Sequence, residues 1–389
     1  MRRIPPFELE RYFARHEFSA PYLLSASDCE ALTQSELLDM ADGEARRLWK
    51  NLKLSYTESP GHPLLRHEIA RIYRHIGDGD VLVTVPEEGI FLAMNAILEP
   101  GDHVICTSPA YQSLHAVAES IGCEVTLWQP DESEGWHFDA ALLTGMIQQN
   151  TRLVIVNFPH NPTGFLPSSG AFRAMIEPIA EKGIWLFSDE MYRFLELTPG
   201  ATLPSACDLY DKAITLSGLS KSFGLPGLRI GWLATRDRRL YKRIARLKDY
   251  TTICSSAPGE ILAIIALRNR STITEAHIAR LRKNRQILDA FFEKHGNLFT
   301  WHRPSAGSVC FPGLKIREDS YPFCEEVVAS AGIMIVPSRM FQYGERHIRI
   351  GFGRENFAAV LSLFSEFLDR QFNGTPSGQN GCGSRGNSP

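Results

Sequence analysis

Apolar residues recur along this chain in two rhythms. Over "PLLRHEIARIYRHI" (63–76), Leu64, Ile69, Ile72, Tyr73 and Ile76 fall at helical intervals, which predicts an amphipathic helix. "GIFLAMNAIL" (89–98) is apolar nearly all round and runs into "EPGD", which predicts a buried helix with a Pro-Gly stop. Shorter runs predict strands: "HVICTS" (103–108), "CEVTLWQ" (123–129), "RLVIVNF" (152–158), "GIWLFSD" (183–189), "KAITLSG" (212–218) and "RIGWLAT" (229–235). A helix from about 111 to 121 separates the first two of these strands. The unbroken apolar run at 152–158 suits a parallel strand covered on both faces. Strand–helix alternation over 80–235 therefore implies an α/β layer architecture. Beyond "ICSSAPGE" (253–260) the pattern is mostly helical through 275–295, then α+β to about 370. The tail "NGTPSGQNGCGSRGNSP" (373–389) has almost no apolar content and is expected to be disordered.

Composition narrows the picture mainly by exclusion. With 389 residues the chain can form two domains with substantial cores. A net charge of −3 gives no basis for a nucleic-acid or polyanion binder. "MRRIPPFELERYF" has no apolar signal core, and runs such as "ILAIIAL" (261–267) are far short of a membrane span. The eight cysteines form no CxxC pair and sit at no metal-ligand spacing, so reduced thiols in a cytoplasmic protein are expected. His67 and His75, eight residues apart, read as a solvated helix face, and no metal site is expected.

The chemically distinctive residues sit where predicted strands end, which is where α/β sheets bind ligands. "VNFPHNPTG" closes one strand with Asn161, "LFSDEMY" the next with Asp189 and Tyr192, and "TLSGLSK" a third with Lys221. Lys221 introduces a glycine-rich stretch, and Arg229 is the other charge between Gly224 and Ala234. A Rossmann dehydrogenase is disfavoured because "GLPGLRIG" lacks the GxGxxG spacing. Glu87 and Glu88 are adjacent on one helix and do not face each other as a catalytic dyad.

"NPTG", "SDEMY" and "SKSFGLPGLRIG" occur in order with "YTESPGHPLLRHEIA", "LEPGDHVICTSPAY" and "HIRIGFG". Over about residues 45–370 this set resembles the class I/II aminotransferase family of fold-type-I pyridoxal-phosphate enzymes. The resemblance implies a mostly parallel central sheet sandwiched by helices, with a smaller α+β domain. Residues 1–45 then form an N-terminal arm and part of the small domain, 46–275 the large domain, 276–370 the small domain and 371–389 a tail. It implies that Lys221 forms the Schiff base with the cofactor aldehyde and shuttles the α-proton. Arg229 clamps the phosphate and is the nearby cation that helps keep the lysine amine neutral. Asp189 pairs with the pyridine nitrogen, Asn161 and Tyr192 bond the ring oxygen, and Tyr111 stacks on the ring face. Arg349 binds the substrate carboxylate, with Asn161 beside it. Tyr56 reaches the phosphate of a partner in a homodimer whose shared sites also include residues near 251–256.

The sequence departs from the family at the phosphate. A small Gly-containing pair is replaced by "TVPEEGIF", in which Pro86 has no N–H and Glu87 adds negative charge unless it points away. Helix N-terminal N–H groups of Glu87, Glu88 and Gly89 are expected to serve instead. Gly218 stands where a phosphate-binding serine is frequent, with Ser220 close by. The function implied is amino transfer from an L-amino acid to a 2-oxo acid; a transcriptional regulator is disfavoured because no basic DNA-binding module precedes the motifs. The opening segment "PPFELERYFARHEFSAPYLLSASDCEALT" is distantly similar to capreomycidine synthase-like cyclases, which act on arginine-derived substrates. That likeness adds a cyclase or lyase alternative on the same cofactor, with Glu8, Glu10 and His16 facing a basic side chain.

Overall fold

The computed structural model describes residues 4–372. Its centre is a seven-stranded sheet whose strands appear in the sequence as β2 (Val81–Thr84), β3 (His103–Thr107), β4 (Glu124–Trp128), β5 (Thr151–Asn157), β6 (Trp185–Asp189), β7 (Ala213–Gly218) and β8 (Gly231–Ala234). The spatial order is β2-β8-β7-β6-β5-β3-β4. Every pair is parallel except those of β8, which runs antiparallel to both β7 and β2.

Successive side chains of a strand point to opposite faces, and β5 shows why its run had to be apolar throughout. Leu153 and Ile155 join the core beneath the helices Pro86–Ile97 and Ser113–Ile121, whereas Val154 and Val156 join Phe172 and Met175 of the helix Ser169–Glu181. Both faces of the sheet are covered.

The smaller unit holds an antiparallel three-stranded sheet of Val309–Cys310, Ile348–Gly351 and Val336–Pro337. The helices Ser320–Ala331 and Phe357–Phe372 pack against each other there. The first strand, β1 (Tyr22–Leu23), pairs in parallel with Ile333–Met334, so the N-terminal segment is stitched to this unit. The helix Arg270–Lys294 runs unbroken through position 275/276, where the boundary between domains was expected.

Three element limits differ from expectation. The helix at 63 stops at Ala70 instead of 76, because Asp208 Oδ1 accepts the N–H groups of Arg74 (2.9 Å) and His75 (2.8 Å) and ends the helical pairing. The buried helix starts at Pro86, whose missing N–H costs nothing in a first turn. The last helix extends to Phe372, and residues 373–389 of the expected tail lie outside the described residues. The seven cysteines within the described residues are free thiols. No helix among the described residues is long and apolar enough to cross a membrane.

Candidate active site

Strands β5, β6 and β7 end side by side, with Asn157 opposite Asp189 and Asp189 opposite Leu216. Local hydrogen bonds fix the loops that follow. Asn157 Nδ2 donates to Asp189 O (3.1 Å), and Asn157 Oδ1 accepts the Asn161 N–H (2.8 Å), which pins the "NPTG" turn to the sheet. Beyond β7, Leu219 and Phe223 are buried on either side of Lys221, and Ser222 Oγ lies 3.1 Å from Met191 O and 2.5 Å from Arg193 O. The lysine turn is thereby tied to the turn that carries Asp189 and Tyr192.

These ends open into a cavity of about 530 Å³ lined by Lys221, Asp189, Asn161, Tyr192, Arg349 and Tyr111. Ser220, Arg229 and Glu87, the last in the first turn of the helix Pro86–Ile97, also line it. Glu10 of the N-terminal helix α1 (Glu8–His16), Glu17 at the end of that helix, and Asp28 line it too. The structure thus brings together most of the residues picked from the sequence, from segments over 300 positions apart.

Several of them stand elsewhere. Glu88 turns away from the cavity, its carboxylate accepting from Thr84 Oγ1 (2.7 Å), from Thr252 Oγ1 (2.8 Å) and from Thr251 Oγ1. Tyr56 is 86% exposed and borders a second cavity of about 600 Å³ that contains none of the strand-end residues. His16 does not face the cavity chemistry; its Nε2 is 3.0 Å from Glu325 Oε1. Glu8 is exposed, and its N–H donates to Gln112 Oε1 at 2.8 Å. Among the described residues no group of three His, Cys, Asp or Glu side chains is arranged to hold a metal ion.

The electrostatics follow from burial. Lys221 Nζ donates to Ser27 Oγ at 2.7 Å. Burial lowers its pKa below the ordinary lysine value, Asp28 opposes that shift, and Arg349 adds to it. Among the cations Arg349 acts most strongly on the amine; Arg229, in the same cavity, is exposed and donates to Pro226 O at 3.0 Å. Arg349 is 1% exposed, packed against the rings of Phe13 and Phe341, and donates to Asn161 Oδ1 (3.3 Å) and Ser25 O (2.9 Å). Burial lifts Asp189 to about 7, against the Met191 N–H that it accepts at 3.0 Å. Tyr111 Oη donates to Glu10 Oε1 at 2.9 Å.

Packing at the start of the helix Pro86–Ile97 accounts for Pro86 and Gly218. A Cβ on residue 218 would lie 3.0 Å from Gly231 Cα, and one on Gly231 would lie 2.7 Å from Pro86 Cγ. Pro86, Gly231 and Gly218 thus form one close-packed stack that a serine at 218 would disturb. Glu87 and Glu88 sit in the first turn and keep N–H groups that the helix cannot satisfy, whereas Gly89 N already donates to Val85 O at 2.9 Å. Gly89 therefore drops out of the expected donors.

Sequence reading passed over Ser27, Asp28 and Glu17. Only the short polar run "SASD" between apolar Leu24 and Cys29 marks the first two, and nothing local connects it to a lysine about 190 positions away. Their approach depends on β1 pairing with Ile333–Met334.

The cavity suits the cofactor that the motifs imply. Tyr192 Oη and Arg349 Nε are buried within its walls without a hydrogen-bond partner, polar groups that a phenolic oxygen and a carboxylate would satisfy. The model of the family "Aminotransferase class I and II" matches residues 22–359. Capreomycidine synthase of Streptomyces vinaceus is 29% identical over 383 residues, 96% of this chain and 97% of that protein. Among solved structures, a PLP-dependent aminotransferase from Streptococcus suis superposes with a TM-score of 0.88 at 30% identity, covering 95% of this chain and 98% of that one. The PLP-dependent cyclase OrfR superposes with a TM-score of 0.86 at 28% identity over the same shares. With the sheet, the strand-end cavity and its lysine in agreement, this chain belongs to the class I and II aminotransferases, the pyridoxal-phosphate-dependent enzymes.

Proposed function

We propose that the enzyme moves the amino group of an L-amino acid with a cationic side chain to a 2-oxo acid. The observation that carries the substrate class is the pair of carboxylates Glu10 and Glu17, which line the cavity together with the strand-end residues. Asp28 is already matched by Arg354, whose Nη2 lies 3.0 Å from both of its oxygens. Glu17 makes no hydrogen bond or ion pair to another of the described side chains, and burial followed by the charges of Glu10 and Asp28 raises its pKa. A substrate ammonium or guanidinium relieves that repulsion, while a distal carboxylate aggravates it. The preferred oxo-acid partner accordingly lacks a second carboxylate.

Each residue has a distinct task. Arg349 offers its unpartnered Nε to the substrate α-carboxylate, held in place by Asn161 and the Ser25 carbonyl. Lys221, with its amine made less basic by burial, takes the α-proton and returns it, and Ser27 Oγ holds the amine between transfers. Bound pyridoxal phosphate supplies an aldehyde to carry the amino group and a ring that accepts the electrons released at the α-carbon. Asp189 would hold the ring nitrogen in its protonated form as a carboxylate partner, and Tyr192 Oη would offer a hydrogen bond to the ring oxygen. Tyr111, positioned by Glu10 and by Phe7, whose ring centroid is 4.9 Å away, would hold the face of the ring.

A second reading is favoured by the near full-length likeness to capreomycidine synthase. In it the same proton removal is followed by loss of a side-chain group or closure of a ring. Single-turnover reactions of the cofactor-loaded enzyme with a panel of amino acids, including arginine and hydroxylated arginines, separate the two. Transamination leaves stoichiometric pyridoxamine phosphate and an oxo acid from the cationic members of the panel. Recovery of unchanged cofactor with a cyclised or eliminated product would replace it by the second reading.

A further inference from the structure

The helix Pro86–Ile97 opens with a carboxyl group where the cofactor phosphate must be received. Of its two adjacent glutamates, Glu88 is turned outward and supplied with hydroxyl donors by Thr84, Thr251 and Thr252. Glu87 is turned inward. It lines the same cavity as Ser220, Lys221 and Arg229, and its one hydrogen bond is from Ser113 Oγ to Oε2 at 3.2 Å. The groups facing it are Glu10 from α1, Asp189 from the end of β6, the Tyr111 phenol, and Arg229 from beyond the lysine turn. Burial, the largest influence, acts with the repulsion of Glu10 and Asp189 against the Ser113 hydrogen bond and Arg229, lifting Glu87 to about 7.

A phosphate dianion and a carboxylate anion cannot share this corner at close range; one must take up a proton. A carboxylic acid, unlike a carboxylate, has an O–H to donate, and phosphate oxygens accept. With no N–H on Pro86 and no side-chain hydroxyl at Gly218, that O–H fills a gap in the cradle. We propose that Glu87 binds the cofactor phosphate as a neutral carboxylic acid, donating its O–H to a phosphate oxygen, so that the cofactor enters together with one proton. The proton remains on Glu87, no covalent bond changes, and the Glu87 and Glu88 N–H groups complete the contact. The proposal depends on the cofactor and is independent of the amino-acid substrate.

The test uses cofactor-stripped, full-length protein and pyridoxamine 5′-phosphate, which has no aldehyde to condense with Lys221. Calorimetry between pH 6 and 9, in buffers of different ionisation heat, reports affinity and proton uptake together. For the wild type, affinity is expected to fall about tenfold per pH unit above about 7, with one proton taken up per ligand at pH 8.5. Glu87→Gln keeps a donor without a proton to lose, so it should bind about 30-fold more tightly than wild type at pH 8.5 and take up about one proton fewer. Pyridoxamine without phosphate should not distinguish the two proteins. Glu87→Ser supplies a second neutral donor should the glutamine variant fail to fold. Parallel pH curves for wild type and variant, or weaker binding by Glu87→Gln throughout, would overturn the proposal alone. Absence of binding by wild type at every pH would overturn it together with the cofactor site.

Discussion

Lys221 donates to the Ser27 hydroxyl, and the largest cause of its lowered basicity is burial, ahead of the charges of Asp28 and Arg349. The same burial acts in the opposite direction on Asp189, and it has a consequence for stability. In the unfolded chain this carboxyl ionises at its ordinary value of 3.8, but in the folded protein only at about 7. A raised carboxyl stabilises the fold fully below the lower value and progressively less as pH climbs towards the higher one. Thermal unfolding of the cofactor-free protein should therefore show stability falling from about pH 4 to about pH 7 and then levelling off, with a shallower slope in Asp189→Asn. Glu17 governs choice rather than stability. Glu17→Gln should lower kcat/KM for a cationic amino acid by about 10- to 100-fold, the range of a lost charge-assisted hydrogen bond, and leave uncharged amino acids nearly unaffected. An equal loss for both kinds of substrate would remove it from the specificity pocket. Lys221, Asp189 and Asn161 could be found from sequence because each closes an apolar run. Glu17 and Ser27 close nothing, so their positions emerge only when distant segments meet.

The helix Pro86–Ile97 and the strands around it were legible because a parallel strand covered on both faces leaves an unbroken apolar run. The reversed direction of β8 was not, since hydrophobic pattern carries no information on hydrogen-bond polarity. The two-residue strands of the smaller unit are too short to show any period. The loop after β4 shows another feature of this kind. Its Trp136, 2% exposed, inserts between Phe311, Tyr343, His302 and His347, while Glu132 Oε1 lies 2.9 Å from His347 Nε2. A large-unit loop thus plugs the smaller unit. Trp136→Ala removes an aromatic group with this many partners and should cost about 3–5 kcal/mol, measured by denaturant unfolding. A cost below about 1 kcal/mol would mean that the plug is not a structural joint.

At the scale of the molecule, exposed apolar side chains gather on neighbouring segments. Leu54 (85% exposed) and Tyr56 (86%) lie on one loop, Tyr250 (91%) and Ile253 (51%) on another. Lys248 Nζ joins the two loops by donating to Ser59 O at 2.9 Å and Ile253 O at 2.8 Å. We propose that this surface is covered by a second copy, which would bring Tyr56 to the partner's phosphate. Sedimentation should give twice the chain mass, and Tyr250→Asp should shift it towards monomer and weaken cofactor retention. A monomeric wild type would refute this.

The N-terminal helix α1 has one more implication. Its start is held to the large unit by Glu8 N and the Pro6 carbonyl, both bonded to Gln112. Its middle and end are held to the smaller unit through Tyr12 Oη on Ile335 O and His16 on Glu325. A roof nailed to two walls cannot follow one of them without leaving the other. Any rocking of the two units therefore has to be absorbed by the span that holds Glu10, so the acidic ceiling over the lysine rises or falls as the doorway widens or narrows.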